Sequence, residues 1–473
     1  MRNGEAVPLE SVPLVPFDEF RGRVVARTAA GARLLALFAH AGRFHAVLGD
    51  EEAGTLEALR TEARGAYPAL TPDCPQAHLF ERELREQAGA TPEGHPWLKP
   101  VRGPIRDFFR VEGDEVHEVA VGPIHAGVIE PGHFRFQCHG EDVLHLEIAL
   151  GYQHRGAEEA LTGGPGKRSI HHAETLCGDS SVAHATAWCQ ALEALGGTRA
   201  GARALALRGV ALELERLANH AGDLGALAGD AGYLPTAAFC GRVRGDFLNA
   251  TAALCGSRFG RGLVRPGGVR FDAGPELVAD LLDRLARAGR DAAGAIGLLW
   301  DSNSVMARFE GTGVVSRADA AALGLVGPAA RACGLERDAR RDFPQGIYAY
   351  AQVPVSTAPT GDVLARAFVR WLEIQRSLVF AREQLESLPA GPARAPLGPL
   401  APDRLVVSLV EGWRGEVCHV LLTGPDGRLA RVKVVDPSFR NWSALALAMR
   451  GQPISDFPLC NKSFNLSYCG HDL

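Results

Sequence analysis

Apolar residues recur at two periods along this chain, and the period changes where the architecture should change. In the first hundred residues the apolar runs are short. Residues 24–27, 34–38 and 44–48 read as strands, with a turn at Ala30-Gly31. Residues 51–62 place Leu56 and Leu59 at helical spacing and read as a helix. The pattern predicts a small α+β domain over 1–100, closed by Glu81-Arg82-Glu83 and then Gly94-His95-Pro96-Trp97-Leu98. Pro92, Pro96, Pro100 and Pro104 mark an extended linker, because proline fixes φ and donates no backbone hydrogen bond.

Beyond Val119 the character changes. Residues 134–137 and 143–150 are strand-like and meet at the turn His139-Gly140-Glu141. Long helical stripes follow over 171–195, 202–227, 275–299 and 363–388. In the second, Val210, Leu214, Leu217 and Leu224 align; in the last, Leu364, Phe368, Trp371, Leu378 and Leu385 do. Such stripes pack as a bundle. Strands at 405–410, 417–423 and 429–435, with a turn at Gly424-Pro425-Asp426-Gly427, form a late antiparallel unit, and 441–450 is a last short helix. Residues 390–402 are a Pro/Ala/Gly loop. The expected fold class is therefore α+β: the small first domain, then a mainly helical domain over 101–473 with short antiparallel sheets.

With 473 residues, 46% hydrophobic and 22% charged, the chain can bury a substantial core as an ordinary globular protein. A formal charge of -5 provides no basic field for nucleic acid. No apolar run reaches the roughly 18–20 residues that cross a bilayer, and Met1-Arg2-Asn3-Gly4-Glu5 leads into no apolar signal core. The reading is a cytoplasmic protein, or one held to a membrane by partners. None of the ten cysteines forms a Cys-x-x-Cys pair, which argues against an iron–sulfur cluster or a disulfide scaffold and for buried free thiols. No glycine-rich dinucleotide loop follows a strand.

Four segments could carry chemistry. Gly122-Pro123-Ile124-His125, leading to Glu130-Pro131-Gly132-His133-Phe134-Arg135-Phe136, is an irregular loop with two histidines, which on their own read first as hydrogen-bonded turn residues. Gly151-Tyr152-Gln153-His154-Arg155-Gly156-Ala157-Glu158 sets a carboxylate near an arginine, as a proton site or a structural ion pair. Leu176-Cys177-Gly178-Asp179-Ser180-Ser181-Val182-Ala183-His184, if helical, puts Cys177, Ser181, His184 and Trp188 on one face, either two metal ligands or a core stripe. Gly327-Pro328-Ala329-Ala330-Arg331-Ala332-Cys333-Gly334, continuing to Asp338 and Arg340, offers arginines that could bind an acceptor or pin a loop.

Taken in order, these motifs resemble the large subunit of membrane-bound, energy-converting nickel–iron hydrogenases of the formate hydrogenlyase and hydrogenase-4 type. That family is related to the quinone-site subunit of complex I. The likeness covers nearly the whole chain. The first hundred residues look like a shortened C-type complex I subunit fused ahead of a D-type one, marked by Glu81-Arg82-Glu83 and Gly94-His95-Pro96. Arg431-Val432-Lys433-Val434, Ser438-Phe439 and Asn441-Trp442 also fall in family order. The family ends in Asp-Pro-Cys-x-x-Cys-x-x-Arg/His; here Ser463-Phe464-Asn465-Leu466-Ser467-Tyr468-Cys469-Gly470-His471-Asp472-Leu473 stands there.

The departures from the family bear on function. The resemblance implies four thiolate positions for the nickel–iron centre, and this chain has Cys177, Ser180, Ser467 and Gly470 at them, with Cys469 one residue off. Soft thiolates hold that metal pair, and glycine offers no ligand, so no nickel–iron centre and no other cofactor is expected in this chain. The resemblance implies a tail that is trimmed after metal insertion, and the sequence stops at the equivalent point, Leu473; the expectation is either a chain that never receives the metal and needs no such tail, or one already trimmed. Gly178 falls where the complex I subunit has its quinone tyrosine, and the first loop lacks His-Pro-x-x-His.

The resemblance implies an oxidoreductase-complex subunit lying on the inner face of the plasma membrane through its partners. Those partners would be an iron–sulfur small subunit of complex I B type, with ferredoxin-like and antiporter-like membrane subunits. The vacated region should be lined by Glu158, Cys177, Ser180, His184, Arg340, Ser467 and Asp472. Glu158 and His184 would handle protons there, or the region would bind a quinone or another small redox molecule. A non-catalytic structural subunit is the alternative, and another metal on Cys177, His184 and Cys469 a third reading.

Overall fold

The structure, a computed structural model, describes residues 1–125 and 129–473. The N-terminal unit opens on the helix Phe17–Ala29 and continues as a consecutive antiparallel meander of Arg33–His40, Arg43–Asp50 and Thr55–Glu62. Two expectations change here. Residues 24–27 lie in the helix, because Phe17, Phe20 and Val24 make one buried face at helical spacing. Residues 55–62 form the third strand, since pairing along Arg43–Asp50 outweighs the helical spacing of Leu56 and Leu59. A helix at His78–Ala88, ended by Gly89 at φ 67°, completes the unit.

The large part holds a second meander, Val116–Val121, His133–His139 and Asp142–Ala149, and then the helices Ala202–Asp230, Leu234–Cys255, Pro275–Trp300 and Val363–Glu386. Leu234–Cys255 was not foreseen; its glycines and arginines blur the apolar stripe. The stripe over 171–195 is broken. Ser169–Glu174 and Ser181–Leu195 are separate helices, and Cys177 lies in the turn between them. The expected helical face joining Cys177 to Ser181, His184 and Trp188 therefore does not form.

The late sheet lies at the centre. Arg404–Gly412, Gly415–Thr423 and Leu429–Val435 pair antiparallel, and Ala6–Pro8 from the start of the chain adds a fourth strand beside Arg404–Gly412. Side chains alternate between its faces. Leu405, Val407, Leu409, Val420 and Leu422 share a core with Phe20, Leu35, Phe38 and Phe80 of the N-terminal unit. Val406, Val410, Val417 and Leu421 face the other way, onto Leu192 and Trp188 of the Ser181–Leu195 helix. A third core fills the long-helix bundle. Among the described residues no helix is long and apolar enough to cross a membrane.

A buried ionic seam crosses between the parts. Lys433 Nζ lies 2.7 Å from Glu83 Oε2 and 3.0 Å from Glu158 Oε1, and Arg102 Nη2 reaches Glu83 at 2.7 Å. Burial works against the charge of Glu83, but Lys433 and Arg102 outweigh it and hold its pKa below the ordinary value. Lys433→Met removes the shared cation and leaves two carboxylates buried, so unfolding free energy should drop by about 3–5 kcal/mol in urea denaturation. Because Glu83 titrates lower folded than unfolded, its contribution is complete above the unfolded value of about 4.3 and is lost as pH falls through the folded one. The gap between wild type and Lys433→Met should therefore narrow between pH 5 and strong acid.

Candidate functional site

Three segments meet at the four expected ligand positions. The turn after Ser169–Glu174 presents Cys177, Asp179 and Ser180. The hairpin turn between Arg404–Gly412 and Gly415–Thr423 presents Trp413 and Arg414. The C-terminal segment arrives from the helix Phe457–Phe464, which ends at Asn465 with φ 46°, and forms the turn Tyr468–His471. Ser467 caps that turn, its Oγ accepting from the Gly470 N–H at 2.9 Å.

Arg414 binds these segments together. Its Nη1 lies 3.3 Å from Cys177 Sγ and 3.5 Å from Ser180 Oγ. Both terminal nitrogens donate to the Asp179 carboxylate, Nη2 to Oδ2 at 2.8 Å. Nε donates to the Asn465 carbonyl at 2.5 Å, and the guanidinium stacks on Trp413 at 3.9 Å. Trp413 in turn donates to the Asp179 carbonyl at 2.9 Å. Burial opposes the charge of Asp179, yet Arg414 outweighs it and holds that carboxyl below its ordinary range.

Interaction with Cys469 and burial push the Cys177 thiol well above its ordinary value, while interaction with Cys177 draws the Cys469 thiol down. Cys469 Sγ is also 3.3 Å from Ser467 Oγ. His184 is buried between Asp436 Oδ2 at 3.0 Å and His419 Nε2 at 3.1 Å. Burial works against the charge of Asp436, and its bond to His184 more than offsets this, holding its pKa down. Gly470 sits against the same carboxylate. A Cβ there would fall 2.7 Å from the Asp436 carboxyl carbon. Asp472 accepts from the backbone N–H groups of Gly151 at 2.8 Å and Gln153 at 2.9 Å, which anchors the C-terminal segment. Glu130 accepts from the Tyr468 N–H at 3.2 Å.

Cys177, Ser180, Ser467, Gly470 and His184 therefore belong to one region, with Asp472 at its edge. Glu158 and Arg340 stand apart from it. Glu158 is in the Lys433 seam, also accepting from the Val434 N–H at 3.0 Å. Arg340 is in a second buried cluster, 2.7 Å from Asp338 and 3.1 Å from Glu213. The motif readings did not single out Arg414, Asp436 or His419. Arg414 had one visible signal, a charged side chain held in Gly412-Trp413-Arg414-Gly415 between two strands rich in valine and leucine. Among the described residues no three His, Cys, Asp or Glu side chains are gathered to hold a metal, so the trio Cys177, His184 and Cys469 does not form a site.

Comparison with known proteins gives this geometry its context. A carbon monoxide-induced hydrogenase of Rhodospirillum rubrum is 33% identical over 356 residues, spanning 74% of this chain and 97% of that protein. The chain belongs to the energy-converting hydrogenase large-subunit family. Formate hydrogenlyase subunit 5 of Escherichia coli is 29% identical over 432 residues, 85% of this chain and 76% of that protein. The family model for the 49 Kd subunit of respiratory-chain NADH dehydrogenase matches residues 230–403. A chain of the membrane-bound sulfane sulfur reductase, an archaeal respiratory membrane complex, shares the fold with a TM-score of 0.71 at 22% identity, over 76% of this chain and 99% of that one.

The nickel–iron centre implied by this family does not fit the residues of this member. A permanent cation, Arg414, is already bonded to Cys177 and Ser180, where a metal cation would need unprotonated sulfur. A cysteine side chain at position 470 would need Asp436 to move. Gly470→Ala should lower stability by about 1–3 kcal/mol through this overlap, while Gly178→Ala, whose Cβ would have 3.8 Å of clearance to Arg261, should change little. Thermal melts of the two variants check this.

Proposed function

We propose that this chain is the metal-free large subunit of a membrane-associated redox complex, docked on an iron–sulfur small subunit and, through it, on membrane subunits. The observation that supports it is Arg414, whose guanidinium joins Cys177, Ser180, Asp179 and the Asn465 carbonyl where relatives would place thiolate ligands. A fixed cation answers the electrostatic demand that a metal would otherwise meet, and it ties the C-terminal segment to the Cys177 turn. The sulfur of Cys177 and the hydroxyl of Ser180 are thus engaged by the protein's own side chains, which favours an assembly role for this region over a substrate pocket.

The reading as a quinone or small-redox-molecule site draws on a different place. A cavity of about 250 Å³ is lined by His78, Arg82, Trp97, His145, Trp442 and His471 but by none of Cys177, Ser180, Ser467 or Gly470. Its walls combine apolar side chains with histidine, arginine and glutamate groups, which suits a small organic molecule that carries polar groups. A proton relay through His184 would run along Asp436 and His419 and would not involve Glu158.

Metal analysis of the complex extracted from native membranes tests the metal-free reading. The expected result is no nickel above background per copy of this chain, with iron accounted for by the clusters of partner subunits. About one nickel per chain would overturn it.

A further inference from the structure

The cavity of about 250 Å³ lies where the N-terminal unit meets the large part. The helix His78–Ala88, the linker that follows it, the strand Asp142–Ala149 and the helix Pro437–Ala448 all contribute to its wall. The charge on that wall is unbalanced. Arg82 Nε and Nη2 donate to the Lys99 and Pro100 carbonyls, both at 2.6 Å, which fixes the guanidinium; among the described residues its Nη1 has no hydrogen-bond partner. The carboxylates that attract Arg82 are engaged elsewhere. Glu86 accepts from the Val101 N–H at 2.8 Å and the Arg102 N–H at 3.0 Å. Glu147 accepts from Lys99 Nζ at 2.8 Å and from the Phe109 N–H at 2.7 Å. Burial outweighs the pull of both and brings the Arg82 pKa down to about 10, so at neutral pH it is a cation with no counter-ion of its own. Arg450 adds a second positive charge to the wall and has no ion pair among the described residues. His145, beside them, buries an Nε2 that has no partner.

We propose that this cavity binds a small aromatic carboxylate, its acid group on Arg82 Nη1 and its ring against Trp97 and Trp442. The proposal rests on the reading of the cavity as a small-molecule site and narrows the ligand from a quinone to an organic acid. The carboxylate supplies the counter-ion that Glu86 and Glu147 do not, through a charge-assisted hydrogen bond to a guanidinium already held in place by two carbonyls. Arg450 strengthens the field that draws an anion in, and His145 Nε2 is free to bond a ligand oxygen. A neutral quinone accepts a hydrogen bond from Arg82 but leaves its charge uncompensated. The rest of the wall is apolar. The indoles of Trp97 and Trp442 stand there with Ile105, Leu150 and Leu447, and Trp442 is oriented by its Nε1 bond to the Ser467 carbonyl at 3.2 Å. An apolar cavity of roughly 150 Å³ holds benzene. The larger space here admits a ring together with one acidic substituent.

The test is equilibrium dialysis of radiolabelled benzoate against the complex from native membranes, with benzamide as the neutral isostere and menadione as a neutral quinone. Benzoate should bind saturably, and benzamide roughly tenfold more weakly or worse, the difference between a charge-assisted and a neutral hydrogen bond. In Arg82→Gln the affinity for benzoate should fall by about tenfold or more while that for benzamide stays within about twofold. Ala446→Phe, on the helix Pro437–Ala448, fills the cavity with Arg82 intact and should abolish binding of both. It keeps the test decisive if Arg82→Gln fails to assemble. Benzamide binding as tightly as benzoate, or benzoate binding unchanged in Arg82→Gln or in Ala446→Phe, would overturn the acid site. Menadione separates the two failures. Menadione bound in the wild type and lost in Ala446→Phe, with no benzoate bound, would overturn the acid and leave the small-molecule reading standing; neither ligand bound would bring down both.

Discussion

The pairing of Arg414 with Asp179 is the constraint around which this region is arranged. Side-chain donors on a guanidinium taken out of water need acceptors, and leaving them unpaired costs several kcal/mol. Arg414 finds them on two other segments: the Asp179 carboxylate, Ser180 Oγ and Cys177 Sγ on one, and the Asn465 carbonyl on the other. The hairpin turn carrying Arg414 thereby fixes where the C-terminal segment runs. Ser467 and Cys469 follow from that path, and Gly470 is held against Asp436 with no room for a side chain. Arg414 thus joins the two segments through hydrogen bonds.

The late sheet makes that arrangement rigid. Both its faces are buried, one against the N-terminal unit and the other against the Ser181–Leu195 helix. The turn at Arg414 therefore cannot move without disturbing two cores. Polar contacts reinforce the packing at each junction. Lys433, on the strand Leu429–Val435, joins Glu83 of the N-terminal unit to Glu158, and Glu215 accepts from the Val182 N–H at 2.7 Å at the start of the Ser181–Leu195 helix. Burial lifts the Glu215 carboxyl to about 8, so a buried helix end is capped by a group that holds its proton at neutral pH. Arg340 and Glu158 serve this framework of paired charges and stand apart from the Cys177 region.

Much of this was legible from residue pattern wherever one element's own periodicity decided the outcome. The Ala202–Asp230 and Val363–Glu386 helices carry continuous stripes, and the turn Gly424-Pro425-Asp426-Gly427 sets the late strands. Residues 24–27 misled because two adjacent valines favour strand, whereas Phe17 and Phe20, seven and four residues before Val24, complete a helical face. Residues 55–62 misled in the opposite direction, since only the partner strand reveals their pairing. Ser180, Ser467 and Gly470 were legible as departures from the family motif, but the contacts that Arg414 makes beside them were not. Arg414 is remote in sequence from both segments it binds, and no local period marks it. The pairing of Ala6–Pro8 with Arg404–Gly412 was hidden for the same reason.

The central claim is that a protein cation stands where relatives place metal ligands. An experimental structure of the complex from native membranes, with anomalous scattering recorded at the nickel edge, tests it most directly. The expected result is guanidinium density from Arg414 joining Cys177, Ser180 and the Asn465 carbonyl, with no anomalous peak. An anomalous peak bound by Cys177 and Cys469, with Arg414 turned away from them, would contradict it.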